Sequence, residues 1–342
     1  MPIYIKPVSE LLTLSFPETD GLLGNLLDRS GSVVVSGPQK IGKSLFSDQL
    51  AFCLADNQQF VGHRTGGNYR SLVLQAEVSE RRMQERLARQ AAMFSPESHE
   101  RVLHACVFSS VKLDTEEGAA TLIGWVDEYR PDLIVIDPLC NFHGGDENVA
   151  KDMLKVTAVL DSVRQRGPAV VVVHHHGKRS TENTNVGYKA RGSSALAGWY
   201  DSHLSLEWAQ ERTVRLRYEL RNDETPEDVL LRLNHRTLLF EVQTGDAAQV
   251  ELVVSAVRDA GPASADTVAD ACHRTRQWAS EWLNRAVEIG RLHRQGTRPV
   301  LFSLPEQATL ATVTVNPEGI VVNTNTQTQP IAFGEQDPFR LN

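Results

Sequence analysis

Residues 32–55 read "SVVVSGPQKIGKSLFSDQLAFCLA": an apolar run, a turn bracketed by glycines, then a stretch with helical rhythm. Within it Gly37, Gly42, Lys43 and Ser44 fit G-x-x-x-x-G-K-[ST] in a strand, loop and helix setting. Glycines at those places let backbone N–H groups turn inward around phosphates, and the helix start adds partial positive charge. The stretch Gly37, Pro38, Gln39, Lys40, Ile41, Gly42, Lys43, Ser44 and Leu45 is therefore the expected ATP-binding loop. Lys43 is expected to reach the β- and γ-phosphates and Ser44 to ligate Mg2+. The bland alternative is a glycine-rich turn that holds no ligand.

A magnesium site needs a carboxylate as well, and "PDLIVIDPL" places Asp137 at the end of an apolar run, a Walker B pattern. On its own such an aspartate is as readily a turn or helix cap. The next residue is Pro138, not an acid, so the base must come from elsewhere. "SLVLQAEVS" offers Glu77 at the end of another apolar run, where strand ends gather around a ligand. From there it would orient or deprotonate the attacking water. Its ordinary reading is a helix-start carboxylate.

Outward from the loop, "SVVVS", "SLVLQAE", "RVLHACVF", "DLIVID", "AVVVVHHH" and "SHLSLE" alternate with helical patterns. Unbroken apolar strands separated by crossover helices predict an α/β core with a mostly parallel sheet covered on both faces. "ERRMQERLARQAAMF" and "VAKDMLKVTAVLDSVRQR" supply crossover helices, and "TVRLRYEL" with "VLLRLNHRTLLFEV" reads as an antiparallel meander extending the sheet. The four cysteines are far apart and suggest buried thiols, neither disulfides nor zinc. No apolar stretch approaches the roughly 18 to 20 residues of a membrane span. The N-terminus lacks a signal-peptide pattern, so a cytoplasmic protein is expected. A net charge of −8 argues against coating nucleic acid by bulk charge.

Taken in order, "GPQKIGKS", "VLQAE", "LIVIDPL" followed by "FHGGDEN", "VVVVHHHGK" and "KARGSSALAGWYDSHLSLE" resemble the RecA-type ATPases, in particular the RepA-like hexameric helicases. The resemblance runs from about Pro7 to Glu241. It implies a RecA-like P-loop NTPase core, a homo-oligomeric ring and ATP bound between neighbouring subunits. It also implies that His175 senses the γ-phosphate and that "KRSTENTNVGYKA" is a channel loop whose Lys178 and Arg179 touch DNA. Lys189 and Arg191 resemble the pair that ring helicases insert into a neighbour's site as an arginine finger. The plain alternatives are a packing histidine, a solvated loop and a structural ion pair. Metal binding by His174, His175 and His176 is a poor reading, because adjacent strand residues point to opposite faces.

Beyond Gly245 three helical patterns, "QVELVVSAVRDA", "SADTVADACH" and "RQWASEWLNRAVEIGRL", precede a hairpin candidate, "LHRQGTRPVLFSL". That order predicts a winged helix-turn-helix whose third helix buries Trp278, Trp282, Leu283, Val287 and Ile289. Residues 273–298 hold six arginines against Glu281 and Glu288, a net of +4. Arg276 and Arg285 on the helix, with Arg294 and Arg298 beside the hairpin turn, are the candidate nucleic-acid contacts. Winged helices also dock proteins, and replication or recombination proteins are candidate partners. The chain is accordingly divided into 1–245, an ATPase domain, 246–305, a winged helix, and 306–342, a polar tail. The function expected is an ATP-driven, ring-forming DNA helicase or translocase of a plasmid, phage or mobile element. An ATP-switched DNA-binding regulator or loader, or a recombination mediator forming open filaments, would use the same loop.

Overall fold

The computed structural model describes residues 5–15, 21–107, 110–147, 149–175, 194–210, 213–297, 299–305, 312–316 and 319–323. These fall into two compact units, Met1–Leu252 and Val253–Asn342.

In the first unit a short helix, α1 (Val8–Leu11), and a small hairpin, β1 (Gly21–Leu23) with β2 (Leu27–Asp28), lead into β3 (Ser32–Gly37). Then follow α2 (Lys43–Ala55), β4 (Ser71–Gln75), α3 (Glu80–Ala91), α4 (Pro96–His99), β5 (Val102–Cys106), α5 (Glu116–Tyr129) and β6 (Leu133–Asp137). A 3-10 turn (Leu139–Phe142), α6 (Ala150–Arg164) and β7 (Ala169–His175) come next. After α7 (Ser194–Ala197) the chain forms β8 (Ser202–Gln210), β9 (Thr213–Leu220), β10 (Val229–Leu233) and β11 (Phe240–Val242). One sheet takes nine of these strands in the order β11-β10-β9-β8-β3-β7-β6-β4-β5. From β8 to β5 every pairing is parallel, and β9, β10 and β11 extend the sheet as an antiparallel meander. This is the α/β, mostly parallel core that the alternation of apolar runs predicts.

Register decides which side chains face which way. β3 pairs Gly37 with His175 and Ser36 with His174, and β6 pairs Asp137 with Gln75 of β4. Val34, Leu72, Leu74, Ile134, Ile136, Val170 and Val172 lie on the rear face, packed with Leu122 and Val126 of α5 and Met153, Val156 and Leu160 of α6. Strand alternation then sends Gln75, Asp137 and His175 to the front face, the side of α2. Burial on both faces explains why "VVVV" and "LIVI" show no polar alternation. The sequence reading did not pick out α5. Its start is fixed by Thr115, whose hydroxyl accepts the Gly118 N–H at 3.1 Å.

Helix α2 is tied to the far edge of the sheet. The Gln49 amide donates to the Phe240 carbonyl at 3.0 Å and accepts the Phe240 N–H at 2.7 Å, as a neighbouring strand would. From α3, Gln90 Nε2 donates to the carbonyls of Leu45 and Leu238 at 3.0 and 2.9 Å. Between β9 and β10 sits a fully buried ion pair, Arg215 Nε to Asp228 Oδ2 at 2.9 Å, with Arg217 Nε 3.4 Å from the same oxygen.

The second unit opens within α8 (Asp246–Ala260) and continues through α9 (Ala265–Cys272), α10 (Arg276–Glu288), β12 (His293–Gln295) and β13 (Leu301–Ser303). Gly296, with φ of 72°, makes the turn between β12 and β13. Ala263, between α8 and α9, bridges antiparallel to Phe302, with both backbone hydrogen bonds formed at 3.0 and 2.8 Å. Ser264 and Thr275 cap α9 and α10. The buried face of α10 is Ala279, Leu283 and Ala286, which corrects the expectation from its large side chains. Ile289 is 53% exposed, and Trp278 is half-buried beneath the Arg274 guanidinium. Tryptophan at three- and four-residue spacing drew the apolar stripe too wide. Within 306–342, taken as a polar tail, the alternating "TVTVN" and "GIVVN" form a hairpin, β14 (Thr312–Asn316) with β15 (Gly319–Asn323). Among the described residues no helix is long and apolar enough to cross a membrane.

Candidate nucleotide site

The loop between β3 and α2 is built by backbone conformations that few residues tolerate. Gly42 holds φ of 99° as the N-cap of α2, and Lys40 sits at φ of 64°. A Cβ on Gly37 would stand 2.7 Å from the Leu206 carbonyl oxygen, so β3 and β8 approach there only because residue 37 is glycine. Ile41 and Leu45 are buried and anchor the loop, while Gln39 and Lys40 are exposed. No side chain caps the start of α2, which leaves its N-terminal dipole for an anion.

Lys43 is buried, and its ammonium donates to the carbonyls of Gly37 and Pro38 at 2.9 and 2.8 Å. Burial lowers its pKa to about 8, opposed by the charges of Asp137 and Glu77. Asp137 is 3% exposed, and burial raises its carboxyl to about 6 against a hydrogen bond from Ser44 and the charge of Lys43. Ser44, Asp137 and Lys43 are thus adjacent, as the two motifs required. A hydroxyl and a buried carboxylate side by side are the oxygen donors that a magnesium ion shared with phosphate takes, and burial supplies the need for a cation. The residues present fit nucleotide and Mg2+.

Glu77 lies two residues past β4 and is exposed, its charge acting on both Lys43 and Asp137. Its backbone is held by Gln75, whose Oε1 accepts the N–H groups of Glu77 and Val78, and whose Nε2 donates to Asp137 Oδ2 at 3.0 Å. Gln75 therefore links the two candidate acids, and the sequence reading missed it. Its one signal was a polar residue ending an otherwise apolar strand. His175 faces the front, opposite Gly37 in register, and its pKa is lowered by burial and by the charge of Lys43. His174 faces the rear, so the three histidines do not converge on one ion.

Two further groups went unread. Asp48, one turn beyond Ser44, is buried, and its carboxyl is pushed well above its usual value by burial and by Asp137. It lies 3.5 Å from His104 on β5, and Arg86 of α3 puts its charge on both aspartates. Of the cysteines, Cys53 and Cys272 are buried, whereas Cys106 and Cys140 are partly exposed. Lys178, Arg179, Lys189, Arg191 and Arg298 lie outside the described residues.

In the second unit Arg276, Ser280 and Asn284 of α10 line a groove of about 400 Å³ together with Arg294 of the hairpin. Arg276 pairs with Asp266 at 2.8 Å and Arg285 with Glu288 at 2.9 Å, all four side chains exposed. Such pairs hold little free energy and yield readily to a phosphate.

No curated protein sequence matches the chain. Among solved structures it is similar to a helicase ATPase domain at 12% identity, over 63% of this chain and 85% of that one, with a TM-score of 0.49. A KaiC-like protein from Pyrococcus horikoshii OT3 is 10% identical over 65% of this chain and 94% of that one, with a TM-score of 0.46. The RadB recombinase is 18% identical over 63% and 91%, with a TM-score of 0.45. The model of the family AAA_25, described as an AAA domain, matches residues 5–181, just over half of the 342. With that match, and with the phosphate loop, Asp137 and Glu77 at the carboxyl end of one mostly parallel sheet, the chain belongs to the AAA_25 family and is a RecA-type P-loop ATPase.

Proposed function

We propose that this ATPase is a DNA helicase or translocase that works as a homo-oligomeric ring, as in replication of a plasmid, phage or mobile element. The observation that carries the reading is the second unit. Three helices, a hairpin and the Ala263–Phe302 bridge follow the order of a winged helix, and α10 and the hairpin turn outward Arg276, Arg285 and Arg294. A fold of that kind beside a hydrolytic core gives nucleotide turnover something to act on. The division proposed is an ATPase domain at 1–245, a winged helix at 246–305 and a polar segment at 306–342.

In the hydrolytic step Lys43 leaves its two carbonyls to neutralise β- and γ-phosphate charge, and Glu77, held by Gln75, takes the proton of the attacking water. His175, on the front face beside Gly37, contacts the γ-phosphate. Ser44 and Asp137 hold Mg2+, which when bound neutralises charge on the phosphate oxygens. Arg191, with Lys189, reaches the neighbouring subunit's site, and Lys178 and Arg179 meet DNA in the channel.

The test is steady-state hydrolysis with and without single-stranded DNA, a forked-duplex unwinding assay, and electron microscopy with a non-hydrolysable ATP analogue. The motor reading expects DNA-stimulated turnover, strand separation or displacement along DNA, and closed rings. ATP-dependent binding without stimulation or movement would instead make the chain a switched regulator, and open filaments would make it a recombination mediator.

A further inference from the structure

On the rear face of the sheet, directly behind the phosphate loop, apolar packing gives way to a row of buried polar side chains. Ser36, the residue before Gly37, points into this row, with His174 of β7 and Ser205 of β8 as its register partners. Ser36 and His203 are both fully buried, and Ser36 Oγ lies 2.7 Å from His203 Nε2. The other ring nitrogen, Nδ1, faces Glu219 Oε2 at 3.5 Å across the β8–β9 pairing, where His203 and Glu219 are opposite. An ionised carboxylate only accepts, so the proton sits on Nδ1, Nε2 accepts, and the Ser36 hydroxyl donates. His203 in turn holds the Glu219 carboxyl below its usual value.

The arrangement repeats on the other flank. His174 Nδ1 stands 3.6 Å from Glu147 Oε1, which also lies 3.7 Å from His143 Nε2. Nδ1 of His143 donates to the Gly145 carbonyl at 3.1 Å. Both strands that end at the front-face site, β3 with the loop and β7 with His175, thus have a histidine paired with a carboxylate behind their last residues.

Such a row is costly to bury, and nothing in the packing demands it. One pleat earlier the same face carries Val34, Val172 and Ile136, and valine at 36, 174 or 203 would continue that apolar layer. What the row does is fix the end of β3. Lys43 rests on the carbonyls of Gly37 and Pro38, the two residues after Ser36, so a turn of β3 about its axis moves the lysine with it. We propose that His203, oriented by Glu219, is a positioning residue of ATP hydrolysis: by holding the Ser36 hydroxyl it sets the direction in which β3 delivers the phosphate loop. The inference rests on nucleotide hydrolysis alone and is independent of whether the chain moves DNA.

The experiment is ATP hydrolysis by the full chain as a function of ATP concentration, with and without single-stranded DNA, using Lys43→Ala as the blank. Ser36→Ala and His203→Ala are expected to raise KM for ATP about tenfold with a smaller change in kcat, as a misplaced binding group does. Ser36→Thr keeps a hydroxyl donor and His203→Gln keeps an acceptor near the Nε2 position. Both should stay within about threefold of wild type. An unchanged KM in folded Ser36→Ala, or equal damage from the alanine and conservative variants, overturns the proposal. Should Ser36→Ala not fold, half-exposed Glu219→Gln decides: an increase in KM of about threefold supports positioning, and no change overturns it. Absence of stimulation by DNA in the wild type counts against the motor reading only.

Discussion

Glu77 and Asp137 are both carboxylates at strand ends, yet their surroundings assign them different work. Glu77 is exposed, and its backbone is clamped by Gln75, the geometry of a group that meets water. Glu77→Gln is expected to bind ATP normally and to lose turnover by about 10² or more, read by single-turnover hydrolysis. Asp137 is buried, and its carboxyl ionises near 6 instead of 3.8. The folded chain therefore binds this proton more tightly than the unfolded chain does. Stability from this group is fully present below about pH 4 and is lost as the pH rises through about 6. At about 1.4 kcal/mol per unit the loss approaches ~3 kcal/mol. Asp137→Asn removes that slope, so in urea titrations without nucleotide the variant should gain on wild type between pH 4.5 and 7 while losing hydrolysis. A difference independent of pH would show that the carboxylate is not strained by burial.

Among the elements, those fixed by local pattern were legible and those fixed by partners were not. The glycines, lysine and serine of the loop carry their geometry in their own chemistry, and the apolar runs of β3, β6 and β7 could form only doubly covered strands. Helix α5 was passed over because its stretch, "EEGAATLIGWVDEY", buries only Gly118, Leu122 and Val126, too few for a clear stripe. Gln75, Arg86 and His203 were unreadable for another reason: each acts across strands or helices whose adjacency appears only with the sheet order. Arg215 and Asp228 make the same point in β9 and β10, where arginine at alternate positions suggested a solvent face and is in fact buried. Asp228→Ala strands two guanidinium groups without their carboxylate and is expected to cost about 3–5 kcal/mol of stability. Chemical denaturation at neutral pH measures it, and a loss under about 1 kcal/mol would mean the arginines reach water once Asp228 is gone.

For the whole molecule, the proposed ring makes a prediction that no single chain can. An arginine finger acts on the neighbour's nucleotide, so Arg191→Ala in every subunit should cut hydrolysis roughly 10³-fold while leaving nucleotide affinity nearly intact. Mixed with Lys43→Ala subunits it should regain activity, because an intact Arg191 can then face an intact loop. A mixture that stays inactive in demonstrated mixed rings would remove Arg191 from that role. The Gln49 amide bears on a different fate of the same molecule. A sheet of nine strands ends in an edge that invites another chain to add a strand and so to aggregate. At Phe240 that invitation is withdrawn, since both backbone groups are already engaged by a side chain from the nucleotide-binding helix. Loosening α2 would uncover the edge, so the integrity of the phosphate site and the solubility of the protein hang on one glutamine.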